Sequence, residues 1–316
     1  MGREPVTLIA TVRNEAPSID ALLDSLLGGS RVPDEVVIAD GGSSDGTHER
    51  LTARAAGDPR VRALRAPGNR SVGRNAAVRA ARHPVIACTD AGVEVDREWL
   101  ERLIRPFEAD PDVDVVAGFY RPAGRTWFER AAGVVSAPSL REVNWDRFLP
   151  STRSVAFRRS AWERVGGFDE ALAHNEDTPF ALAMKAAGCK FAFAPDAIVR
   201  WRPRGSLRAF AHQHRRFGIG DGESRVQAWF YGTIAAKYAM AAVLLAGGFW
   251  FKPAWWVLAA AAALFVAQQA RRGLGRVPVV EALIAVPALK VAYDFAYMSG
   301  YFKGRMGPRA ASSGGR

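Results

Sequence analysis

Two long apolar runs in the last third of the chain constrain most strongly what this sequence can fold into. Residues 231–251 carry a single charge, at Lys237, and residues 254–270 carry none. An α-helix needs about 20 apolar residues to cross the ~30 Å hydrocarbon core of a bilayer. The two runs, separated by a break at Lys252 and Pro253, therefore predict a membrane helical hairpin, and two buried core helices of a soluble domain are the alternative.

The residues that flank the hairpin predict its orientation. Tryptophans concentrate at membrane interfaces, and three of them lie at the tip of the hairpin, at positions 250, 255 and 256. Arginines follow the second run at positions 271, 272 and 276, and the positive-inside rule places such residues in the cytoplasm. We therefore expect the N-terminal region to lie in the cytoplasm. Residues 1–30 agree with this expectation, because their apolar run is too short for a secretory signal.

A third apolar segment, residues 277–302, is interrupted by Glu281, Lys290 and Asp294. Glu281 falls nearly opposite the other two on a helical projection, so the segment has no single polar face. A crossing would export the basic residues that follow, so we expect an interfacial or re-entrant segment, with a crossing as the alternative. The membrane region is accordingly predicted over residues 226–303, with two to three helices, followed by a basic flexible tail over residues 304–316.

The net charge of +11 is concentrated in this last part of the chain. Residues 231–316 contribute +8 and residues 1–230 only +3, so the composition does not favour a nucleic-acid partner. Cys88 and Cys189, the two cysteines, lie in apolar surroundings. We expect both to be reduced and buried, as in a cytoplasmic domain, with a disulfide as the alternative.

The first 200 residues alternate short β-rich runs with helical patterns, which is typical of an α/β layer structure around a largely parallel sheet. Three helices are expected to begin after Ser18, Ser71 and Asp96, because these residue types commonly cap helix N-termini. In a βαβ order of this kind, ligands bind at the carboxyl ends of the strands. The strands are predicted at residues 6–12, 35–40, 61–66, 85–90 and 113–120.

Acidic residues lie where this order places ligands. Asp40 closes a strand and precedes a glycine-rich turn, residues 41–47, whose N–H groups could hold a phosphorylated ligand. Asp90 closes another strand and could either ligate a divalent metal or cap a turn. Glu176 and Asp177 begin a helical pattern, where Asp177 could act as a general base or both could simply favour the helix dipole.

Basic residues complete this set. Arg13, Arg70 and Arg74 follow predicted strands, where their guanidinium groups could neutralise a pyrophosphate through paired hydrogen bonds. Residues 206–217 form an amphipathic pattern with several arginines, which predicts either an interfacial helix or an ordinary packing helix.

Taken in order, these motifs resemble glycosyltransferase family 2, whose members have the GT-A fold. The resemblance covers residues 5–217 approximately. It rests on six segments, each weak alone: residues 11–15 (TVRNE), 37–47 (VIADGGSSDGT), 73–75 (GRN), 89–92 (TDAG), 165–170 (VGGFDE) and 175–177 (NED). Residues 213–217 (QHRRF) are similar to the Gln-x-x-Arg-Trp motif of membrane-associated members.

The resemblance implies roles for individual residues. Residues Thr11, Arg13, Glu15 and Asp40 would hold the base and ribose of a nucleotide-sugar, and Arg74 and Asn75 would lie near its diphosphate or sugar. Asp90 would bind a divalent metal, Mg²⁺ or Mn²⁺, and Asp177 would be the catalytic base. On the acceptor or diphosphate side the resemblance places Glu176, Gln213 and Arg216.

Two departures from the family pattern bear on these roles. Gly92 stands where the metal motif has its second acid, so a metal would depend on Asp90, the diphosphate and water. Phe217 stands in place of tryptophan, and together with the few membrane segments this disfavours a processive polysaccharide synthase.

The prediction is therefore an α/β protein with a GT-A, Rossmann-like nucleotide-sugar-binding domain over residues 1–225, including an interfacial helix region at 204–220, and C-terminal transmembrane helices. The resemblance implies an inverting, metal-dependent glycosyltransferase of the hexosyltransferase type. It would move a sugar from a UDP-, GDP- or dTDP-sugar, and the predicted membrane hairpin indicates a lipid or lipid-linked acceptor at the cytoplasmic face of a membrane. The alternative is a non-catalytic, membrane-anchored nucleotide-sugar-binding protein, which Gly92 favours.

Overall fold

The computed structural model describes residues 3–307, and most of the predicted flexible tail, residues 308–316, lies outside them. The described chain forms two compact units, one made of residues 3–121 and 142–202 and the other of residues 122–141 and 203–307. The predicted domain boundary at residue 225 stays a prediction.

The first unit is built on a mixed eight-stranded sheet. Its strands lie in the order β3-β2-β1-β4-β7-β6-β8-β5. Strands β3, β2, β1 and β4 are parallel, whereas β7 pairs antiparallel with both β4 and β6, and β5 pairs antiparallel with β8. The strands are β1 (Val6–Val12), β2 (Glu35–Asp40), β3 (Val61–Arg65), β4 (Val85–Cys88), β5 (Val93–Val95), β6 (Val115–Pro122), β7 (Val155–Arg158) and β8 (Phe191–Trp201).

Helices cover the faces of this sheet, which explains why the central strands are apolar throughout. Every residue of β2 is buried, as expected for a parallel strand that is packed on both sides. The helices of this unit are α1 (Ile19–Leu27), α2 (Thr47–Gly57), α3 (Arg70–Ala80), α4 (Trp99–Ala109), α6 (Arg159–Arg164) and α7 (Asp177–Ala186). Both cysteines are buried and unpaired, as predicted.

The sequence predicted the existence of these elements better than their ends. Helix α3 is capped by Asn69, whose side chain accepts a hydrogen bond from the Val72 amide at 3.1 Å, so the predicted cap at Ser71 is wrong. The Ser18 side chain also makes no cap, because its hydroxyl donates to Glu15 at 2.6 Å. Asp96 accepts the Trp99 amide with its backbone carbonyl, which leaves its carboxylate to pair with Arg200.

The second unit is helical. Its first helix begins with a reciprocal capping box between Thr126 and Glu129. Three helical segments, at residues 228–247, 253–273 and 281–306, are long and apolar enough to cross a membrane. They coincide with the three predicted apolar segments. The helices of this unit are α5 (Trp127–Ser136), α8 (Leu207–Glu223), α9 (Ala228–Gly247), α10 (Pro253–Gly273) and α11 (Val286–Met306), with a π-helical turn at Glu281–Ala285.

Helices α8 and α11 run parallel and approach each other closely along their length. A Cβ atom at Gly218 would fall under 3.0 Å from the Tyr297 backbone, and one at Gly300 would meet the Arg215 backbone in the same way. Gly222 and Gly304 repeat this contact one turn further along. Glycine is therefore required here by backbone proximity.

We expect Gly300→Ala to lower the thermal stability of the detergent-purified chain, because the added methyl group must push two backbones apart at a cost of about 1–3 kcal/mol. Gly232→Ala is the matched control, since a Cβ atom there meets nothing within 4 Å. Alanine is the better helix former by about 1 kcal/mol, so the control should be neutral or stabilising. Equal melting temperatures for the two variants would contradict the close packing.

Candidate active site

The carboxyl ends of the parallel strands form one edge of the sheet, and several predicted site residues lie along it. Asp40 ends β2, the Arg13 loop follows β1, and Asp90 follows β4. Strand β7 runs antiparallel beside β4, with Val155 opposite Cys88, so the residues that precede β7 reach the same edge. Sheet topology thus gathers side chains from distant parts of the sequence.

Arg74 connects the acidic residues of this edge. Its side chain is 1% exposed, and its Nη2 donates to Asp90 Oδ1 at 2.7 Å while its Nη1 donates to Glu176 Oε1. The guanidinium also lies over the Phe168 ring, 5.6 Å from its centroid. One buried cation therefore joins helix α3, the loop after β4 and the start of helix α7.

The two aspartates beside Arg74 are shifted in opposite directions. Burial raises the pKa of Asp177, and the negative charges of Glu176 and Asp90 raise it further, against the opposing effect of Arg153 and Arg74. Burial acts in the same sense on Asp90, but three arginines together outweigh it and lower the pKa of that carboxyl. Two carboxyl groups whose pKa values are shifted in opposite directions suit different tasks, because one stays ionised and the other can accept a proton.

Residues that the sequence did not single out complete the surroundings of the two aspartates. Arg153 acts electrostatically on both Asp90 and Asp177, and its guanidinium lies 5.5 Å from the centroid of the Tyr120 ring. The Thr152 hydroxyl reaches Asp90 Oδ1 at 3.5 Å. No local pattern marks residues 152–153, because they reach this edge only through the antiparallel pairing of β7 with β4.

Asp40 lies two strands away from β4 and is held in its own turn. Its Oδ1 accepts hydrogen bonds from the Ser43 amide at 3.0 Å and the Ser43 hydroxyl at 2.6 Å, and its Oδ2 lies 3.6 Å from His48 Nδ1. The side chain is buried. Asp40 therefore shares the sheet edge with Asp90 and Asp177 but fixes the shape of the loop that follows it.

The loop after β1 is tied to the loop after β2. The amide of Asn14 donates to Ser43 Oγ, and the amide of Glu15 donates to Thr47 Oγ1, both at 2.8 Å. Arg13 is exposed, and Thr11 and Glu15 are half-buried. These residues thus stand at the open side of the edge, in a loop whose backbone is already fixed.

Asn75 is buried, and its amide is fully used within the protein. Its Oδ1 accepts from the Phe168 amide and from Trp162 Nε1, and its Nδ2 donates to the Phe168 carbonyl and to Glu170 Oε1, at 2.8–3.1 Å. Its observed contacts hold the glycine turn at residues 166–167. Its implied place beside the donor stays a prediction.

The donor atoms around Asp90 fit a cation only in part. Both hydrogen bonds of Asp90 reach Oδ1, which leaves Oδ2 as a carboxylate ligand. Gly92 has a φ of +75°, and space is open around it, so the position of the second acid contributes no oxygen. No group of three His, Cys, Asp or Glu within residues 3–307 could hold a metal ion. The site therefore fits a cation that takes most of its ligands from a bound diphosphate and water.

Gln213 and Arg216 lie on α8, in the helical unit. Gln213 Oε1 accepts a hydrogen bond from Arg204 Nε at 3.0 Å, and Arg216 is exposed. Between them His214 is buried, with Nδ1 at 2.8 Å from the Phe210 carbonyl oxygen and Nε2 at 3.1 Å from Ser136 Oγ. The place of Gln213 and Arg216 on the acceptor or diphosphate side stays a prediction.

Comparison with known proteins identifies a family to which the chain is similar. The profile described as "Glycosyl transferase family 2" matches residues 7–182, more than half of the chain. The chain is 29% identical to the succinoglycan biosynthesis protein ExoA of Rhizobium meliloti over 67% of each chain. It is 27% identical to the glycosyltransferase AglE of Haloferax volcanii over 77% of this chain and 80% of the relative.

Other matches cover less of the relative or rest on structure. The pre-mycofactocin glycosyltransferase of Mycobacterium tuberculosis is 29% identical to this chain over 247 residues. The matched segment covers 74% of this chain but only 47% of that relative. The mannosyltransferase PcManGT of Pyrobaculum calidifontis, solved in complex with GDP-Man and Mn²⁺, superposes with a TM-score of 0.56 over 96% of this chain and 86% of its own, at 22% identity. This likeness establishes the GT-A fold.

Removing the Arg74 guanidinium should destabilise the fold strongly. Arg74→Ala leaves Glu176 buried without its counter-charge, and breaking a buried ion pair costs about 3–5 kcal/mol. Arg79→Ala on the same helix is the control, because the Arg79 side chain is 59% exposed and its pair with Glu170 lies at the surface. Chemical denaturation should show a change within about 0.5 kcal/mol for the control. Similar losses in both variants would contradict the central role of Arg74.

Proposed function

The chain belongs to glycosyl transferase family 2, and on this premise we propose that it is an inverting hexosyltransferase that moves a sugar from a nucleotide-sugar to a lipid or lipid-linked acceptor. The helices that are long and apolar enough to cross a membrane support a membrane-bound acceptor. The arginines in the last turn of α10 and just after it support a cytoplasmic active site through the positive-inside rule. The observation that carries the proposal is the buried Arg74, which pairs with Asp90 and with Glu176, the residue before Asp177, at the carboxyl edge of the sheet.

Asp177 would act as the general base. Its carboxylate would take the proton from the acceptor hydroxyl while that oxygen forms a bond to the anomeric carbon of the donor sugar. The bond from the anomeric carbon to the diphosphate oxygen would break at the same time, and the nucleoside diphosphate would leave with the electron pair. A single displacement of this kind inverts the anomeric configuration. The raised pKa of Asp177 makes it a stronger base than an ordinary aspartate.

Asp90 would hold the charge that the departing diphosphate requires. Its lowered pKa keeps it ionised, and its Oδ2 would ligate Mg²⁺ or Mn²⁺ together with diphosphate oxygens. When bound, such a cation stabilises the negative charge that develops on the leaving group. A relative in fold, PcManGT, was solved with Mn²⁺ and GDP-Man.

Arg74 would act as a positioning residue in this arrangement. Because it is buried and bonded to both Asp90 and Glu176, it fixes the carboxylate on the leaving-group side relative to the base that follows Glu176 in sequence. The exposed Arg13 and Arg70 would then be the guanidinium groups open to a nucleotide. Together with Arg13, the residues Thr11, Glu15 and Asp40 would contact the base and ribose, through a loop that is fixed before the donor binds.

Purified protein should transfer sugar from one of the UDP-, GDP- or dTDP-sugars in a mass-spectrometric screen with Mg²⁺ or Mn²⁺ present. Asp177→Asn should lower kcat by about 10²–10⁴-fold, the usual contribution of a general base, while the nucleoside diphosphate still raises the melting temperature. Asp112→Asn, at an exposed aspartate of the same unit, should leave both readouts unchanged. Full activity of Asp177→Asn, or diphosphate binding by the wild type without any turnover, would contradict the proposal.

The rate should fall at low pH because Asp177 must be ionised to accept a proton. Since its pKa is raised, the acid limb of kcat/KM should lie above the range of an ordinary aspartate. In Asp90→Asn the residual activity should keep its acid limb, shifted to lower pH, because a negative charge that raises the pKa of Asp177 is gone. If the acid limb of Asp90→Asn lay at the same pH as that of the wild type, the group that titrates would not be Asp177.

A further inference from the structure

A cluster of charged side chains lies between two of the apolar helices of the helical unit. Asp294 on α11 is fully buried, and its Oδ2 accepts hydrogen bonds from Lys237 Nζ at 2.5 Å and from the Tyr238 hydroxyl at 3.1 Å, both on α9. Its Oδ1 accepts from Lys290 Nζ, one turn earlier on α11. A single carboxylate therefore holds two ammonium groups and a phenol.

The charges of this cluster do not balance. Two ammonium groups face one carboxylate, so the cluster carries a net charge of +1 when both lysines are protonated. Residues 228–307 contain only one other acid, Glu281, and its carboxylate is taken by Arg130 in a two-point ion pair. An ammonium group has three donors, and both oxygens of Asp294 already accept. In apolar surroundings, unused donors and an unbalanced charge are costly.

The excess charge is accessible from outside the helices. The Lys237 side chain is 40% exposed and that of Lys290 16% exposed. The Lys237 ammonium also contacts two aromatic rings of the apolar helices. It lies 4.5 Å from the centroid of the Tyr238 ring and 4.9 Å from the centroid of the Phe265 ring on α10. An anion at the helix surface can therefore reach the cluster without a change in the packing.

We propose that Lys237 and Lys290 form a binding site for the phosphate group of a membrane lipid. Phosphate oxygens are strong acceptors for ammonium donors and would bring the charge of the cluster towards neutrality. The apolar faces of α9 and α10 beside the cluster suit the acyl or prenyl chain that such a phosphate carries. The proposal rests on the proposed function only in that these helices lie in a membrane, and it identifies a phosphorylated lipid as the class recognised there.

The test compares two lipids that differ only in the phosphate. Full-length protein in neutral detergent is titrated with phosphatidic acid and, separately, with diacylglycerol of the same chains, and bound lipid is measured by native mass spectrometry. Phosphatidic acid should be retained and diacylglycerol should not. Inorganic phosphate at the same concentration should not displace the lipid, because the chains contribute to binding. Equal retention of both lipids, or full displacement by inorganic phosphate, would overturn the proposal.

Variants assign the binding to the cluster. Lys237→Gln and Lys290→Gln should each weaken phosphatidic acid retention by about tenfold, corresponding to one lost charge-assisted hydrogen bond. Lys237→Arg should retain the lipid, because it keeps the charge. Lys252→Gln, at the exposed turn between α9 and α10, removes the same charge and should have no effect. If Lys252→Gln weakened the retention of phosphatidic acid as much as the other two substitutions, with melting temperatures unchanged, the lipid would be held by nonspecific charge attraction and the proposal would be wrong. Sugar transfer is not measured, so failure here leaves the proposed function untouched.

Discussion

The ion pairs of Arg74 are the interaction on which the acidic edge of the sheet depends. A guanidinium with almost no exposure would be costly alone, and the two carboxylates around it would repel each other without it. Its planar fork reaches Asp90 with one nitrogen and Glu176 with another, so three segments far apart in sequence share one geometry. The same charge helps to keep Asp90 ionised, whereas burial and then the negative charges of Glu176 and Asp90 raise the pKa of Asp177.

Sheet topology explains how one edge acquires so many charges. Parallel strands bring loops after β1, β2 and β4 together, and a single antiparallel strand, β7, adds the residues that precede it to the same side. Arg153 arrives by this route and acts on both aspartates. The arrangement combines parallel strands with one locally reversed strand, and the reversal supplies Arg153 as a second guanidinium that acts on both aspartates.

Many of the strands and helices could be predicted from the sequence, for identifiable reasons. Periodicity and β-branched runs located β1 and β2 to the residue, and long apolar runs located α9 and α10 approximately. Helix starts were less accessible, because Asn69 and Ser71 are both good caps and only the local backbone decides between them. The burial of Arg74 depends on its ion pair with Glu176, 102 positions away, and the position of Arg153 depends on the pairing of β7 with β4, so neither could be predicted.

The parallel contact of α8 with α11 has a consequence for biosynthesis. Its two glycine-lined surfaces lie about 80 residues apart in sequence, with an apolar hairpin between them. During synthesis, the glycine-lined face of α8 that packs against α11 stays uncovered until the hairpin and the last helix have been made. Contacts of such high sequence separation form slowly. Completion of this helical unit is therefore a late event, which must follow the synthesis of the last helix.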